Sequence, residues 1–279
     1  MPILDVPDRY LAAAPIIVTS PTTRCGTTLA QRLLSAADNA FIYGEGIGNH
    51  FRLLSSLFAG QIIDSERNRA SADETFRRAL DGTLDGWAPA VAPPSEVVLR
   101  AWIETYYQMP AALSDFGQSI GRPVWGFKWP ACPHETVVAF LGLMPRARVV
   151  YMVRDLEGAL MSAKARKFVC TPEEVAGFCA QWARNMGAFA GLLQDRRVLF
   201  VRHEALLTDA ETQIARLAAF AGVNPIPLEA LGLKVNTFVG DEADGHSPAG
   251  YIQPEPLTKT DRAAMQAHAG AAMAEYSAG

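Results

Sequence analysis

The segment Pro21–Thr28 has the residue types of a loop that binds an anion. It follows an apolar run, Pro15–Ser20, that is typical of a buried strand, and it leads into Leu29–Leu34, which is typical of a helix. A loop between a strand and a helix directs free backbone amides and the positive end of the helix dipole toward an anion. Four of its residues favour anion binding by charge, by a hydroxyl donor or by the lack of a side chain: Arg24, Gly26, Thr27 and Thr28.

Two well-known phosphate loops do not fit this segment. The loop of nucleotide-hydrolysing enzymes, G-x-x-x-x-G-K-[ST], needs Lys where this chain has Thr27 and Gly where it has Pro21. A cysteine phosphatase loop, C-x-x-x-x-x-R, needs Arg six residues after the cysteine, and this chain has Gln31 six residues after Cys25. The pattern therefore disfavours hydrolysis of ATP and of phosphate esters.

A second group of phosphate-binding residue types follows another apolar run. Arg148–Val153 is typical of a buried strand and is followed by Arg154 and by Asp155, which is suited to cap a helix over Leu156–Ala165. Ser162 comes eight residues after Arg154, which is about two helical turns. An Arg at a strand end and a Ser on the next helix can bind one phosphate together, by a charge-assisted hydrogen bond and by a hydroxyl.

Four apolar runs are the predicted strands that position these residues: Pro15–Ser20, Val124–Lys128, Arg148–Val153 and Val198–Arg202. They lack clean alternation, which is typical of parallel strands buried on both faces. Helical patterns lie between them and predict an α/β fold, a three-layer sandwich with a central parallel sheet. Residues 50–120 lack a strand pattern and are interpreted as a helical insertion over the carboxyl edge of the sheet. We expect residues 1–279 to form a single domain.

Capping patterns mark the ends of two further helices. Thr171 with Glu174, and Thr208 with Glu211, have the spacing of a capping box at a helix start. Gly222 is placed to end the second of these helices.

The two anion segments resemble motifs of the sulfotransferases that use 3′-phosphoadenosine 5′-phosphosulfate (PAPS). The first resembles their 5′-phosphosulfate loop, P-x-x-R-[SC]-G-T-T-L, with Cys25 at a position that is usually Ser. The second resembles their 3′-phosphate motif, V-R-[DN]-x-x-x-x-x-x-S. Residues 200–207 are similar to their V-R-Y-E-D-L-L segment, with His203 in place of Tyr, and residues 126–130 to their G-x-K-x-P segment. The C-terminal R-K-G-x-x-G-D-W-K pattern of the cytosolic steroid and phenol enzymes is absent from the sequence, so the chain is closer to the tyrosylprotein and bacterial branches.

The resemblance implies a P-loop NTPase-like fold with the helical insertion, about residues 50–120, on the acceptor side. It implies an enzyme that moves a sulfuryl group from PAPS to a hydroxyl or amine by in-line displacement, with PAP as the leaving group and no metal. It implies these cofactor-binding residues: Arg24, Cys25, Gly26, Thr27, Thr28, Arg154, Ser162 and His203. Arg24 and Lys128 are expected to stabilise charge on the leaving group. Glu45 lies between two glycines, and we expect it to be partly buried and to take the proton of the acceptor. His50 and His134 are the reserve candidates for this base.

Charge, hydropathy and cysteine usage indicate which partners and which cellular location to expect. The formal net charge of −4 argues against a broad nucleic-acid surface, and no apolar run approaches the ~20 residues that cross a bilayer. Four cysteines without C-x-x-C spacing favour free thiols in the cytoplasm. Cys25 at a predicted helix start is expected to have a lowered pKa.

Two alternatives to a sulfotransferase remain open: a P-loop nucleotide or small-molecule kinase, and a protein that binds PAP or PAPS without turnover. The acceptor is expected to be a small molecule or peptide, and a phenol, an alcohol, a carbohydrate, an amine and a peptide tyrosine all remain candidates. The sequence predicts no oligomeric state.

Overall fold

Five parallel strands form the centre of the protein, in the order β2-β3-β1-β4-β5. The computed structural model describes residues 6–83, 91–232 and 252–278. The strands are β1 Ile16–Thr19, β2 Ala40–Tyr43, β3 Val124–Lys128, β4 Arg148–Val153 and β5 Val198–Arg202. The last three have the predicted bounds, and β1 is one residue shorter than predicted at each end. The short edge strand β2 was not predicted.

The register of the sheet brings the carboxyl ends of the strands to one edge. Val18 pairs with Lys128, and Thr19 pairs with Tyr151. Val153 pairs with Arg202 at the ends of β4 and β5. Because ligands of open α/β sheets bind beyond the carboxyl ends of the strands, residues that follow the strands are placed to form one site.

Helices connect these strands and cover both faces of the sheet. The helices are α1 Asp8–Leu11, α2 Thr27–Ala36, α3 Glu45–Leu80, α4 Ser95–Ser119, α5 His134–Leu143, α6 Leu156–Ala165, α7 Pro172–Ala190, α8 His203–Thr208, α9 Ala210–Ala221 and α10 Lys259–Ala278. A 3₁₀ helix spans Leu228–Leu231. The helix predicted over Leu156–Ala165 has the observed bounds of α6.

Side chains alternate between two apolar layers along each central strand. Ile17 and Val149 point into one layer with side chains of α3, α4, α5 and α7, such as Phe51. Ile16 and Val150 point into the other layer with side chains of α2 and α9. The predicted three-layer α/β sandwich is thereby confirmed.

The predicted helix caps are correct in three cases and wrong in one. The side chain of Asp155 accepts a hydrogen bond from the amide of Gly158 over 2.6 Å and caps the start of α6. Thr171 and Glu174 form a capping box at the start of α7, and Gly222 ends α9 with φ 67°. The box predicted at Thr208 is wrong, because α8 already includes that residue. The Thr208 hydroxyl donates to the carbonyl of Glu204 over 3.1 Å, so it is directed back into α8 rather than toward α9.

The region between β2 and β3 consists of the long helices α3 and α4, apart from residues that lie outside the described ranges. The two helices pack against each other and against β3. The helix α3 begins at Glu45, a few residues before the predicted start of the insertion. The acceptor-side role of this region and the single-domain organisation stay predictions.

Candidate active site

The loop between β1 and α2 has the backbone shape of an anion cradle. Arg24 and Gly26 have positive φ angles of 67° and 95°, which turn the chain sharply before α2 begins at Thr27. No side chain in the described part of the chain caps the start of α2. The first amides of this helix therefore lack a side-chain acceptor and fit the oxygens of a phosphosulfate.

Buried polar contacts hold this loop in place. The Nδ2 of Asn185 on α7 donates to the carbonyl of Pro21 over 2.6 Å. The hydroxyl of Ser20 donates to the carbonyl of Thr22 over 2.6 Å, and the amide of Ala131 after β3 donates to the carbonyl of Ser20 over 3.1 Å. These contacts order the loop independently of any ligand.

The side chain of Cys25 points away from the cradle into the core between α6 and α7. Burial raises the pKa of its thiol, an effect that the hydrogen bond to Thr22 reduces but does not reverse. The lowered pKa expected from its place at a helix start is therefore wrong. Only its backbone amide is directed by the loop toward an anion.

Gly26 makes room for His203, the first residue of α8. A Cβ on Gly26 would lie 2.8 Å from the Cδ2 of His203 and 3.2 Å from the Cε of Met152. The glycine is thus required by packing as well as by its φ angle, whereas the sequence suggested only a close approach to phosphate. Burial, and then the charge of Arg154, lower the pKa of His203 to about 4. His203 is therefore neutral at pH 7 and would meet a nucleotide as an uncharged ring.

The structure brings Arg24, Arg154 and Ser162 together. The Nε of Arg24 donates to the Oγ of Ser162 over 3.1 Å, and the Nη1 of Arg154 lies 3.4 Å from the carbonyl oxygen of Arg24. Because Arg24 belongs to the first predicted anion site and Ser162 to the second, the two sites adjoin.

Arg154 has unused capacity to bind an anion. Its Nε is buried and has no hydrogen-bond partner among the described residues, and the nearest carboxylate oxygen, on Asp155, is 4.0 Å away. Gly158 on α6 leaves the necessary space, because a Cβ there would lie 2.8 Å from this Nε. An unpaired buried guanidinium nitrogen is costly, and a phosphate oxygen would satisfy it.

Lys128, Thr28 and Glu45 form a second group at the same edge. The Nζ of Lys128 lies 3.2 Å from the hydroxyl of Thr28 and 3.0 Å from the Oε1 of Glu45. The Lys128 side chain is only 14% exposed, whereas that of Glu45 is 60% exposed. The expectation that Glu45 is partly buried is therefore wrong. Its carboxylate lies on the solvent side of the pair, at the start of α3.

The two reserve histidines lie apart from this group. His50 is exposed on α3, and His134 begins α5 with its ring edge against Phe189, at a centroid distance of 5.3 Å. Within the described ranges neither forms a hydrogen bond or an ion pair with Lys128 or Glu45.

Three residues behind Arg154 were not identified from the sequence as part of the site: Trp182, Glu204 and Tyr276. Trp182 and Glu204 bond the backbone next to Arg154, and Tyr276 bonds Glu204. Glu204 could have been identified from the sequence, because it lies within the 200–207 segment that resembles a family motif. Nothing in the local sequence marks Tyr276.

A membrane-spanning helix and a metal-binding cluster are both absent from the described residues. No helix among them has the length and apolar character of a membrane span. No cluster of three or more His, Cys, Asp or Glu side chains with a geometry for a metal ion occurs among them.

The model of the sulfotransferase family matches residues 15–227. This chain belongs to the sulfotransferase family. It is accordingly a transferase whose sulfuryl donor is PAPS, the donor that the family uses. The matched residues include both anion sites, and they also include Lys128 and His203.

The sulfotransferase is also similar to solved structures. The sulfotransferase domain of the Synechococcus PCC 7002 olefin synthase is 16% identical, with 94% of this chain and 96% of that chain covered and a TM-score of 0.48. The sulfotransferase domain of the curacin biosynthetic pathway is 16% identical, with 91% and 96% covered and a TM-score of 0.47. Retinol dehydratase, solved in complex with androsterone and PAP, is 17% identical, with 81% and 64% covered and a TM-score of 0.39. No curated protein has a significant match to this chain.

Proposed function

We propose that this sulfotransferase transfers the sulfuryl group of PAPS to a hydroxyl or amine of an acceptor, with Glu45 as the base and with Lys128 and Arg24 as the cations at the leaving group. The observation that carries the proposal is the 3.1 Å contact between Arg24 and Ser162. It joins two anion sites at one edge of the sheet, as a ligand with phosphate groups at both ends of one ribose requires.

The first site is suited to the 5′-phosphosulfate. The start of α2 offers backbone amides, and Thr27 and Thr28 offer hydroxyls beside them. Arg24 adds a fixed positive charge, and a charge-assisted hydrogen bond is about twice as strong as a neutral one. Cys25 and Gly26 contribute through their amides alone.

The second site is suited to the 3′-phosphate, which distinguishes PAPS from ATP. The buried Nε of Arg154 lacks an acceptor in the described structure, and Ser162 adds a hydroxyl. His203, neutral and packed under Gly26, is suited to contact the adenosine part by its ring face.

Bound PAPS supplies the sulfuryl group: the acceptor oxygen forms a bond to sulfur, and the bond from sulfur to the bridging oxygen breaks, so that PAP departs with the electron pair. Negative charge develops on that oxygen, and preorganised cations stabilise it most effectively away from water. Lys128 meets this condition, because its side chain is only 14% exposed and the end of β3 holds it.

Glu45 is suited to accept the proton of the acceptor hydroxyl. Its carboxylate lies on the solvent side of Lys128, 60% exposed, so an acceptor that enters from solvent reaches it before it reaches the lysine. Its Oε1 is 3.0 Å from the Lys128 Nζ, a contact that supports a role for both residues in the same transfer.

The identity of the acceptor and the location of the enzyme belong to the proposal as well. A phenol, an alcohol, a carbohydrate, an amine or a peptide tyrosine all carry a group that Glu45 can deprotonate. The cytoplasm is supported by four free cysteines, of which three are buried: Cys25, Cys132 and Cys179.

The experiment is a turnover assay with PAPS and a panel of these acceptors, in the absence of magnesium, with mass-spectrometric detection of the gain of one sulfuryl group. We expect a sulfated product from at least one hydroxyl acceptor, and much less of it with the Lys128→Ala variant. Binding of PAP to a folded protein without sulfated product from any acceptor class would contradict the proposal and favour a binding protein without turnover.

A further inference from the structure

The peptide group between Arg154 and Asp155 is held from both sides. Its carbonyl oxygen, on Arg154, accepts a hydrogen bond from the Nε1 of Trp182 over 3.1 Å. Its amide, on Asp155, donates to the Oε1 of Glu204 over 3.1 Å. Because both atoms belong to one planar unit, the two contacts fix the plane of the peptide and hence the direction in which the Arg154 side chain leaves the backbone.

Tyr276, near the end of α10, contacts both residues that hold this peptide. Its hydroxyl donates to the Oε2 of Glu204 over 2.5 Å, and its ring meets the ring of Trp182 edge to face at a centroid distance of 5.9 Å. The guanidinium of Arg202 lies over the same ring, 4.1 Å from its centroid. Tyr276 is thus positioned by three neighbours, two of which, Glu204 and Trp182, bond the peptide after Arg154.

The protonation states of Tyr276 and Glu204 agree with a hydrogen bond that Tyr276 donates and Glu204 accepts. Burial, and then the Glu204 carboxylate, raise the pKa of Tyr276, so that its hydroxyl keeps the proton. Burial alone would raise the pKa of Glu204, but the hydrogen bonds from Tyr276 and Asp155 outweigh it and lower that pKa. Tyr276 therefore donates to a carboxylate, which is the stronger kind of hydrogen bond.

The rest of α10 is tied to α6, the helix that carries Ser162. The Nζ of Lys164 on α6 lies 2.5 Å from the Oδ2 of Asp261, and Arg262 pairs with Glu157 over 2.8 Å. The helix α10 is therefore fixed relative to the helix that carries the second member of the 3′-phosphate site.

We propose that Tyr276 is a positioning residue for the 3′-phosphate of the nucleotide. It fixes Glu204 and Trp182, which fix the peptide after Arg154 and so aim the guanidinium at the phosphate. The proposal rests on the proposed role of Arg154. It assigns to the C-terminal helix an indirect part in nucleotide selection, since Tyr276 acts through Glu204 and Trp182.

Titration calorimetry with PAP and with AMP, which lacks only the 3′-phosphate, tests this role. The variants are Tyr276→Phe, which removes one hydroxyl and keeps the ring, and Ser277→Ala, which removes an exposed hydroxyl from the next residue of α10. Arg154→Ala is measured beside them. Loss of a residue that orients a ligand-binding group typically costs about 10–100-fold in affinity at metal sites. We expect PAP binding to weaken by about tenfold in Tyr276→Phe, AMP binding to stay unchanged, and Ser277→Ala to match the wild type for both nucleotides.

The outcomes separate the two proposals. If Arg154→Ala weakens PAP selectively and Tyr276→Phe weakens both nucleotides equally or neither, the role of Tyr276 is wrong and that of Arg154 stands. If Arg154→Ala has no selective effect on PAP, the 3′-phosphate site is misplaced and the role of Tyr276 is overturned with it. Circular dichroism and the melting temperature of each variant show whether a loss arises from unfolding, in which case PAP and AMP binding fall together and the positioning role is rejected.

Discussion

Lys128 and Glu45 meet across 3.0 Å although they come from different strand ends, at β3 and just after β2. The Lys128 side chain is only 14% exposed and that of Glu45 is 60% exposed, so the pair has an inner positive and an outer negative end. An ion pair with one exposed partner contributes little to stability, about 0–1 kcal/mol. We therefore expect substitutions at either residue to affect turnover far more than folding.

Substitution of Lys128 tests its role in the transition state. Lys128→Ala should lower kcat by about 10²–10³, because a positioned charge at the leaving oxygen is lost. The affinity for PAP should change only modestly. Steady-state kinetics and calorimetry measure the two effects, and Lys128→Arg, which restores a charge, should recover part of the rate. A large loss of PAP affinity with little change in kcat would instead make Lys128 a binding residue.

Substitution of Glu45 tests its role as the base. Glu45→Gln should slow an aliphatic alcohol strongly and an activated phenol such as p-nitrophenol only slightly, because the phenol ionises without help. The measurement is kcat/KM for both acceptors. His50→Gln, at an exposed site on the same helix, is the matched control and should leave both rates unchanged. Equal slowing of the two acceptors by Glu45→Gln would exclude Glu45 as the base and make His50 and His134 the next residues to test.

The contact between Gly26 and His203 makes Gly26 a structural residue as well as a loop residue. Gly26→Ala should lower the free energy of unfolding by about 1–3 kcal/mol, because φ is positive and the new methyl group meets His203. His203→Ala in the same background should recover part of this loss, since it removes the steric clash and leaves the backbone strain. Urea unfolding of the two single variants and the double variant measures the effect. Additive losses would show that the two residues do not interact.

The lowered pKa of His203 predicts a dependence of stability on pH. Its folded-state pKa is about 4, below the ordinary value of 6.5, so between these values the unfolded chain binds more protons than the folded one. The contribution of His203 to stability is therefore present above pH 6.5 and is lost as the pH falls toward 4. From pH 7 to pH 5 the free energy of unfolding of the wild type should fall by about 1–2 kcal/mol more than that of His203→Asn. If the difference in free energy of unfolding between the two proteins is the same at both pH values, the lowered pKa of His203 is wrong.

Most of the sheet could be predicted because its strands have strong local patterns. The edge strand β2 was missed because its pattern is weak. The central strands are continuous apolar runs because both of their faces are covered. The strand β2 has only four residues, and Phe41 within it is exposed, so its pattern resembles that of a connection. The failed capping box at Thr208 has the correct spacing, but spacing does not reveal that the preceding residues already form a helix.

In the candidate site, residues that follow strands could be predicted, and the contacts that support them could not. Arg24, Lys128, Arg154 and His203 each follow or end a strand, and the sheet brings them to one edge. The inward direction of the Cys25 thiol depends on packing between α6 and α7. The bond from Tyr276 to Glu204 joins positions 72 residues apart in the chain, and no local pattern encodes such a contact.

The most direct test of the account is the discrimination between PAP and AMP by the wild type and by Arg154→Ala, measured by calorimetry. The wild type should bind PAP more tightly, because Arg154 and Ser162 are placed to hold the phosphate that AMP lacks. In Arg154→Ala this advantage should shrink by about 2–4 kcal/mol with AMP binding unchanged. Equal losses for both nucleotides, or a PAP preference as large in the variant as in the wild type, would contradict the assignment of the 3′-phosphate site.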